Sequence, residues 1–163
     1  MNRSRAIALA VFGAALAAIV VVVLVSSGGD DGSGDASATA DLETKPEVTV
    51  PDAPATELVS DDVVEGDGAA AKEGDEIEVE YVGVAQSTGQ EFDSSWERQE
   101  PFSFELGGGD VIPGWDEGLV GMKEGGRRLL VIPGDLAYGP TGQPPDIGPD
   151  ETLVFAVDLI EVS

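Results

Sequence analysis

Six short runs of aromatic and apolar residues follow one another in the second half of the chain: Tyr81-Val82-Gly83, Phe92-Asp93-Ser94-Ser95, Pro101-Phe102-Ser103-Phe104, Val111-Ile112-Pro113-Gly114-Trp115, Ala137-Tyr138-Gly139 and Thr152-Leu153-Val154-Phe155. Phe, Trp and Tyr make up only 6% of the chain, and most of them lie in or between these runs. The rings stand close to glycines, prolines or acids, near the ends of predicted strands. This pattern predicts a concave pocket that is lined by rings and carries few polar groups.

Alternation of polar and apolar residues predicts strands around these runs. Residues 76–82 (EIEVEYV) alternate with a period of two, so one face of the strand should lie in the core and the other in water. Residues 102–106 show the same alternation. Residues 57–60 and 63–64 together predict a first strand, and further strands are predicted at residues 91–93, 127–132 and 153–162.

One soluble helix is predicted, over residues 113–120. Pro113 suits the first turn of a helix, and Trp115 and Leu119 are four residues apart, so they share one face. Residues 133–150 contain five prolines and four glycines, which predicts a long loop, and loops of that length are usually functional or disordered. One helix against a mostly antiparallel sheet gives an α+β fold.

The six runs, in this order and spacing, resemble the FKBP-type peptidyl-prolyl cis-trans isomerases over residues 45–163. The resemblance implies a bent antiparallel β-sheet wrapped around one short α-helix, with ligand bound between the two. The strand and helix patterns agree with that architecture. It also implies the activity of a peptidyl-prolyl cis-trans isomerase.

The resemblance further implies which residues form the pocket. Trp115 is expected at its floor, and Asp93 is expected to accept hydrogen bonds from Tyr81 and Arg98, because a buried carboxylate needs such partners. From the residues alone, Trp115 could still be an ordinary core residue and Asp93 an ordinary surface acid. The residues expected to act in catalysis are Tyr81, Phe92, Asp93, Trp115, Tyr138 and Phe155. Those expected to bind substrate are Phe102, Val111, Ile112 and Ile147, and Tyr138 and Ile147 are expected at the rim. The residues expected to pack only in the core are Phe104, Leu106, Leu130 and Leu153.

The chain departs from the family pattern in the loop after Tyr138. Gln143 stands where many members have histidine, and Asp146 stands where an apolar residue is frequent. Gly148-Pro149 replaces a frequent Pro-Pro. Because these changes fall at the pocket rim, they affect the expected substrate preference and macrolide affinity more than the activity.

The reaction that the resemblance implies needs little chemistry from side chains. Rotation about an X–Pro bond meets a barrier of roughly 18–20 kcal/mol, but no bond is made or cut. The chain contains no Cys and no His, which removes the thiolate nucleophile and the commonest general base and metal ligand. No metal and no cofactor are therefore expected, and most hydrolase chemistry is disfavoured.

The charge of the chain limits its partners. Eight Lys and Arg residues face 32 Asp and Glu residues, so the formal net charge is −24 at pH 7. A surface this acidic repels phosphate backbones, which argues against nucleic-acid binding. The expected partners are proline-containing polypeptides, with macrolides of the tacrolimus and rapamycin type as candidate ligands, and the domain is expected to be monomeric.

The first 25 residues predict an export signal or an anchor. Arg3 and Arg5 precede residues 6–25, which carry no charge and, as a helix, would span roughly 30 Å, the thickness of a bilayer's hydrocarbon core. The run is longer than a usual cleavable signal, and no good cleavage site follows, so a retained single-pass transmembrane helix is favoured over a cleaved signal peptide. In both cases the arginines hold the N-terminus inside and place the domain on the extracytoplasmic side.

Residues 26–44 are rich in Gly, Ser, Ala, Thr and Asp, and their composition predicts a disordered acidic linker. The acids at Asp30, Asp31 and Asp35 lack the spacing of a calcium-binding loop.

Two functions remain in contention: an isomerase that accelerates proline-limited folding of exported proteins, and a non-catalytic peptide-binding or chaperone module with the same fold. The matched pocket positions all carry apolar or aromatic residues, which favours the isomerase.

Overall fold

The computed structural model describes residues 36–163. Eight β-strands and two short α-helices, with two further turns of 3₁₀-helix, form the described part of the chain. In chain order they are β1 (Ser37–Ala38), β2 (Val48–Thr49), β3 (Val59–Val64), β4 (Glu76–Ala85), β5 (Glu91–Ser94), α1 (Ser95–Arg98), β6 (Phe102–Glu105), α2 (Pro113–Gly118), β7 (Arg127–Ile132), the 3₁₀ turns Gly134–Leu136 and Gly139–Thr141, and β8 (Leu153–Val162).

Six strands form one antiparallel sheet in the order β3-β7-β8-β4-β5, with β6 also paired to β4. Strand β4 pairs with β8 along its length, from Ile77 opposite Val162 to Ala85 opposite Leu153. On its other edge, the first half of β4 pairs with β6 and the second half with β5. The two short strands and β8 thus place their aromatic residues around the middle of β4.

Helix α2 packs on the concave face of this sheet. A Cβ atom at Gly114 would lie 2.4 Å from Ile132 Cγ2, and one at Gly118 would lie 2.8 Å from Leu130 Cδ2. The two glycines therefore let the helix approach β7 more closely than any other residue would. Trp115, between them, is 4% exposed and joins the main core cluster.

The predicted α+β architecture, a bent antiparallel sheet around a short helix, is confirmed. Strands β7 and β8 have the predicted bounds, and α2 ends two residues earlier than predicted. The first strand, predicted from residues 57–60 and 63–64, is β3 and spans Val59–Val64. Helix α1 was not predicted, and the loop over 133–150 contains two 3₁₀ turns.

The opposite face of the sheet is covered by the chain that precedes β3. Strand β1 pairs with β2, and Ala36 and Ala38 are buried in a second apolar cluster with Val131, Val154 and Ala156 of the sheet. The prediction of a disordered linker over residues 26–44 is therefore wrong for residues 36–44. Its composition gave no sign of a core contact because small alanines, rather than large apolar residues, fill the space.

A buried arginine fastens this segment to the sheet. Arg127 is 0% exposed, and its guanidinium donates to both carboxylate oxygens of Asp158, at 2.5 and 2.7 Å. The same guanidinium donates to the backbone carbonyls of Thr39 and Asp41, each at 2.7 Å. Burial raises the pKa of Asp158, and the hydrogen bond from Arg127 opposes that rise. Residues 36–44 thus pack on the sheet together with residues 45–163.

Within residues 36–163, no helix is long and apolar enough to cross a membrane. The predicted transmembrane helix or signal peptide over residues 1–25, and the linker over residues 26–35, lie outside the described residues. Both stay predictions.

Candidate active site

A cavity of about 290 Å³ opens between α2 and the concave face of the sheet. All of the predicted site residues except Ile147 line it. Asp110, which the sequence did not single out, is an additional lining residue. The lining residues are Tyr81, Phe92, Asp93, Phe102, Asp110, Val111, Ile112, Trp115, Tyr138 and Phe155.

Trp115 lies at the centre of the ring cluster. Its ring meets those of Tyr81 and Phe155 edge to face, with centroids 5.0 and 5.2 Å apart, and it meets Phe102 at 6.3 Å. Phe104, buried behind the cavity as expected, stacks on Phe102 at 5.4 Å. Edge-to-face contacts add roughly 0.5–1.5 kcal/mol per pair to the burial of the rings. The cavity floor is therefore a packed cluster of rings that is formed without ligand.

A glycine allows two of the walls to meet. Gly83 pairs with Phe155 across β4 and β8, and a Cβ atom at Gly83 would lie 2.7 Å from both Phe155 Cε1 and Phe92 Cζ. Without a side chain there, the rings of Phe92 and Phe155 pack edge to face at 5.6 Å. The glycine is visible in the sequence, but only the strand register shows why it is needed.

The polar side of the cavity is a three-residue network. The Tyr81 hydroxyl donates to Asp93 Oδ2 over 2.5 Å and accepts from Arg98 Nη2 over 2.9 Å, and Arg98 also donates to Asp93 Oδ1. The hydrogen bonds predicted at Asp93 are thus present. Burial, followed by the hydrogen bond to Asp93, raises the pKa of Tyr81 to about 12. Tyr81 therefore stays a neutral donor at physiological pH.

Helix α1 brings Arg98 into this network. The Ser94 hydroxyl accepts from the Glu97 N–H over 3.4 Å, and the Ser95 hydroxyl accepts from the Tyr81 N–H over 2.7 Å. The first bond caps α1, and the second ties the helix to β4. The signal that could have revealed α1 is the Ser94-x-x-Glu97 spacing, which matches a helix-capping box.

The opposite rim is formed by residues 110–112, where α2 begins. The Ile112 carbonyl accepts from the Trp115 N–H over 3.0 Å. In the described part of the chain the Ile112 N–H has no hydrogen-bond partner, and Ile112 is only half-buried. Asp116 accepts from the N–H groups of Gly107 and Gly109, at 2.8 and 3.1 Å, which fixes the preceding loop against α2. One backbone donor is thus held free at the mouth of the cavity.

Tyr138 and Ile147 belong to the loop that follows β7. Tyr138 is 38% exposed and lines the cavity, whereas Ile147 is 3% exposed and packs in the core. The backbone of Ile147 exchanges two hydrogen bonds with Gln143, at 2.8 and 3.0 Å, which turns its side chain inward. Ile147 therefore does not line the ring cavity but a neighbouring one, and its expected role in substrate binding stays a prediction.

The arrangement suits a flat apolar group with one or two carbonyls. Six aromatic residues line the space, the Ile112 N–H and the Tyr138 hydroxyl stand at its mouth, and the nearby Arg98, which does not line the cavity, is paired with Asp93. Residues 36–163 contain no group of three or more His, Cys, Asp or Glu residues that could hold a metal ion. The site thus offers an apolar surface and hydrogen-bond donors rather than a nucleophile.

Comparison with known proteins agrees with this geometry. The family model for FKBP-type peptidyl-prolyl cis-trans isomerases matches residues 68–160. The FK506-binding protein of Streptomyces anulatus is 53% identical over 120 residues, which cover 72% of this chain and 97% of that protein. The probable FK506-binding protein of Corynebacterium glutamicum is 51% identical over 117 residues, covering 71% and 97% of the two chains.

Solved structures show the same fold. The crystal structure of FkpA from Escherichia coli matches with a TM-score of 0.60 and 50% identity, over 66% of this chain and 49% of that one. The crystal structure of AtFKBP13 matches with a TM-score of 0.61 and 38% identity, over 65% and 93%. The match to FkpA therefore concerns about half of that chain.

Proposed function

The chain belongs to the FKBP-type peptidyl-prolyl cis-trans isomerase family, and we propose that it accelerates the proline-limited folding of exported proteins from the extracytoplasmic side of the cytoplasmic membrane. The family establishes the reaction, rotation about the bond between any residue and a following proline. The exported clients and the location are the proposed part.

The proposed mechanism rests on the cavity that is lined by aromatic rings and has Trp115 at its floor. A planar X–Pro amide in water is stabilised by resonance and by hydration of its dipole. At the twisted transition state the resonance is lost and the group becomes less polar, so an apolar cavity binds the twisted form better than the planar one. Lowering a barrier of roughly 18–20 kcal/mol in this way needs no covalent intermediate.

Two donors at the mouth are proposed to orient the peptide. The free Ile112 N–H suits the carbonyl on the C-terminal side of the proline, and the Tyr138 hydroxyl suits the carbonyl of the residue before it. The Tyr81 hydroxyl is already engaged with Asp93 over 2.5 Å, so its role is to hold the network and the ring in place. The proline ring would then lie on Trp115 between the two contacts.

The same cavity is proposed to bind macrolides of the tacrolimus and rapamycin type. The relatives from Streptomyces and Corynebacterium are named for binding FK506, and the cavity presents rings with two free donors. A macrolide that fills the cavity would exclude the peptide, so inhibition of the isomerase should be competitive.

The location rests on the sequence of residues 1–25. Twenty uncharged residues after two arginines are enough to span a bilayer, with the domain outside. In full-length expression the protein should fractionate with membranes, and protease added to intact cells should release an active domain. Mature protein that starts near Gly28 in the secreted fraction would instead support export with signal cleavage. A domain protected until lysis would contradict both.

A peptide-binding module without catalysis is the alternative function. A missing wall residue would favour it, but the predicted cavity residues other than Ile147 are in place. A folding assay separates the two. The isomerase should accelerate the slow refolding phase of a proline-limited protein at catalytic amounts, whereas a binding module would act only in stoichiometric amounts.

A further inference from the structure

A second cavity, of about 250 Å³, lies beside the ring cavity. It is formed by β5 and the loop over residues 143–147, and Phe92, Asp93 and Tyr138 line both cavities. The two spaces therefore share one wall. A peptide bound in the first cavity would have a neighbouring side chain within reach of the second.

The position of Tyr138 in the shared wall indicates which substrate side chain reaches the second cavity. Tyr138 is the donor proposed for the carbonyl of the residue before the proline. With the proline on Trp115 and that carbonyl at Tyr138, the preceding residue lies at the boundary with the second cavity. Its side chain is the part of the substrate that can enter.

The second cavity combines apolar walls with carboxylates. Phe92, Pro144 and Ile147 supply the apolar walls, and Asp93 and Asp146 the charges. Asp93 is paired with Arg98, but across residues 36–163 Asp146 forms no ion pair. No lysine or arginine of the described residues lines either cavity. An unbalanced negative charge therefore faces the entering side chain.

We propose that Asp146 determines specificity by favouring a lysine or arginine before the proline. The proposal rests on the isomerase activity assigned to the ring cavity. The methylene stem of such a side chain can lie along the apolar wall while its charged end meets the carboxylate, as long basic side chains do at surfaces. A glutamate at the same place would meet a like charge and be disfavoured.

The test compares three peptides that differ only in the residue before the proline: lysine, leucine or glutamate. The full-length chain in detergent is assayed, and kcat/KM is measured by NMR exchange after subtraction of each uncatalysed rate. We expect kcat/KM for lysine to exceed that for glutamate by about fivefold or more near 50 mM salt. The ratio should fall toward one near 1 M salt, because the screening length is then about 3 Å.

Two variants separate a local effect from the overall charge of the protein. Asp146→Asn should lower the lysine-to-glutamate ratio by about two- to fourfold, which is within the range measured for exposed charge pairs. Asp135→Asn removes the same charge from an exposed site in the same loop that lines neither cavity, and it should leave the ratio unchanged.

Three results would overturn the proposal. A ratio near one for the unmodified protein would show that no such preference exists. Equal ratios in Asp146→Asn and Asp135→Asn would assign the preference to net charge rather than to the cavity. No acceleration of the leucine peptide would mean that the isomerase activity itself is absent, which is a separate failure and removes the premise.

Discussion

Replacing Tyr81 by phenylalanine removes one oxygen atom from the candidate site and leaves the ring in place. That oxygen donates to Asp93 over 2.5 Å and accepts from Arg98 over 2.9 Å. Hydrogen bonds to charged groups contribute about 1.5–3 kcal/mol, but the remaining Arg98–Asp93 pair is over two-fifths exposed and partly compensates. We expect Tyr81→Phe to lower the free energy of unfolding by about 1–2 kcal/mol at pH 8.

The difference in the free energy of unfolding between Tyr81→Phe and the unmodified protein should depend on pH. Because the pKa of Tyr81 is raised from 10.0 to about 12 in the folded state, the hydroxyl stabilises the fold fully below pH 10. This contribution is lost as the pH rises from 10 to 12. Two pKa units correspond to about 2.7 kcal/mol, an upper bound here because the cavity mouth is open to water.

The assay is urea denaturation followed by tryptophan fluorescence, on both proteins, at steps from about pH 8 to pH 11.5. The two proteins share every other ionisable group, so the effects of those groups cancel in the difference. The difference in unfolding free energy between the two proteins should be constant up to about pH 9.5 and should decrease at higher pH. The predicted role of the Tyr81 hydroxyl would be contradicted if the difference in unfolding free energy stays constant or widens above pH 10, or if Tyr81→Phe is as stable as the unmodified protein at pH 8.

Three further predictions follow from the packing. Phe92→Ala removes a wall shared with Phe155 and should lower kcat/KM more than about tenfold with an unchanged circular-dichroism spectrum; full activity in the folded variant would remove the cavity assignment. Arg127→Met leaves the buried Asp158 without its partner, so urea denaturation should show a free energy of unfolding that is lower by about 3–5 kcal/mol. A loss under about 1 kcal/mol would contradict the importance of this buried ion pair. A fragment over 45–163 should melt at a lower temperature than one over 36–163, because Ala36 and Ala38 fill the outer cluster, and equal melting temperatures would contradict that packing.

The strands and the helix of the core were predictable because the periodicity of polar and apolar residues in the sequence matches the burial of those residues in the fold. Residues 76–82 alternate because β4 has one face in the core and one near solvent. In β7, two arginines are followed by a continuous apolar run, residues 129–132, because the strand is covered on both faces. The ring positions could be assigned only through the resemblance. Nothing in the periodicity alone says that Phe92 and Phe155 meet.

The features that were missed depend on contacts between distant residues. The segment around Ala36 and Ala38 has the composition of a linker, and it is ordered by carbonyl contacts to Arg127, about ninety residues later in the chain. Ile147 turns inward because its backbone bonds to Gln143, which no side-chain pattern reports. Asp110 is an ordinary acid in the sequence and becomes a cavity residue only through the loop that Asp116 fixes.

The mechanism proposed above requires that the cavity on Trp115 catalyses rotation about X–Pro bonds. NMR exchange spectroscopy on a proline peptide measures that rotation directly, with the protein at catalytic amounts and with tacrolimus added in a second series. We predict that the exchange rate rises in proportion to protein concentration and returns to the uncatalysed rate when tacrolimus fills the cavity. No acceleration, or acceleration that persists while tacrolimus is shown to be bound, would contradict the claim.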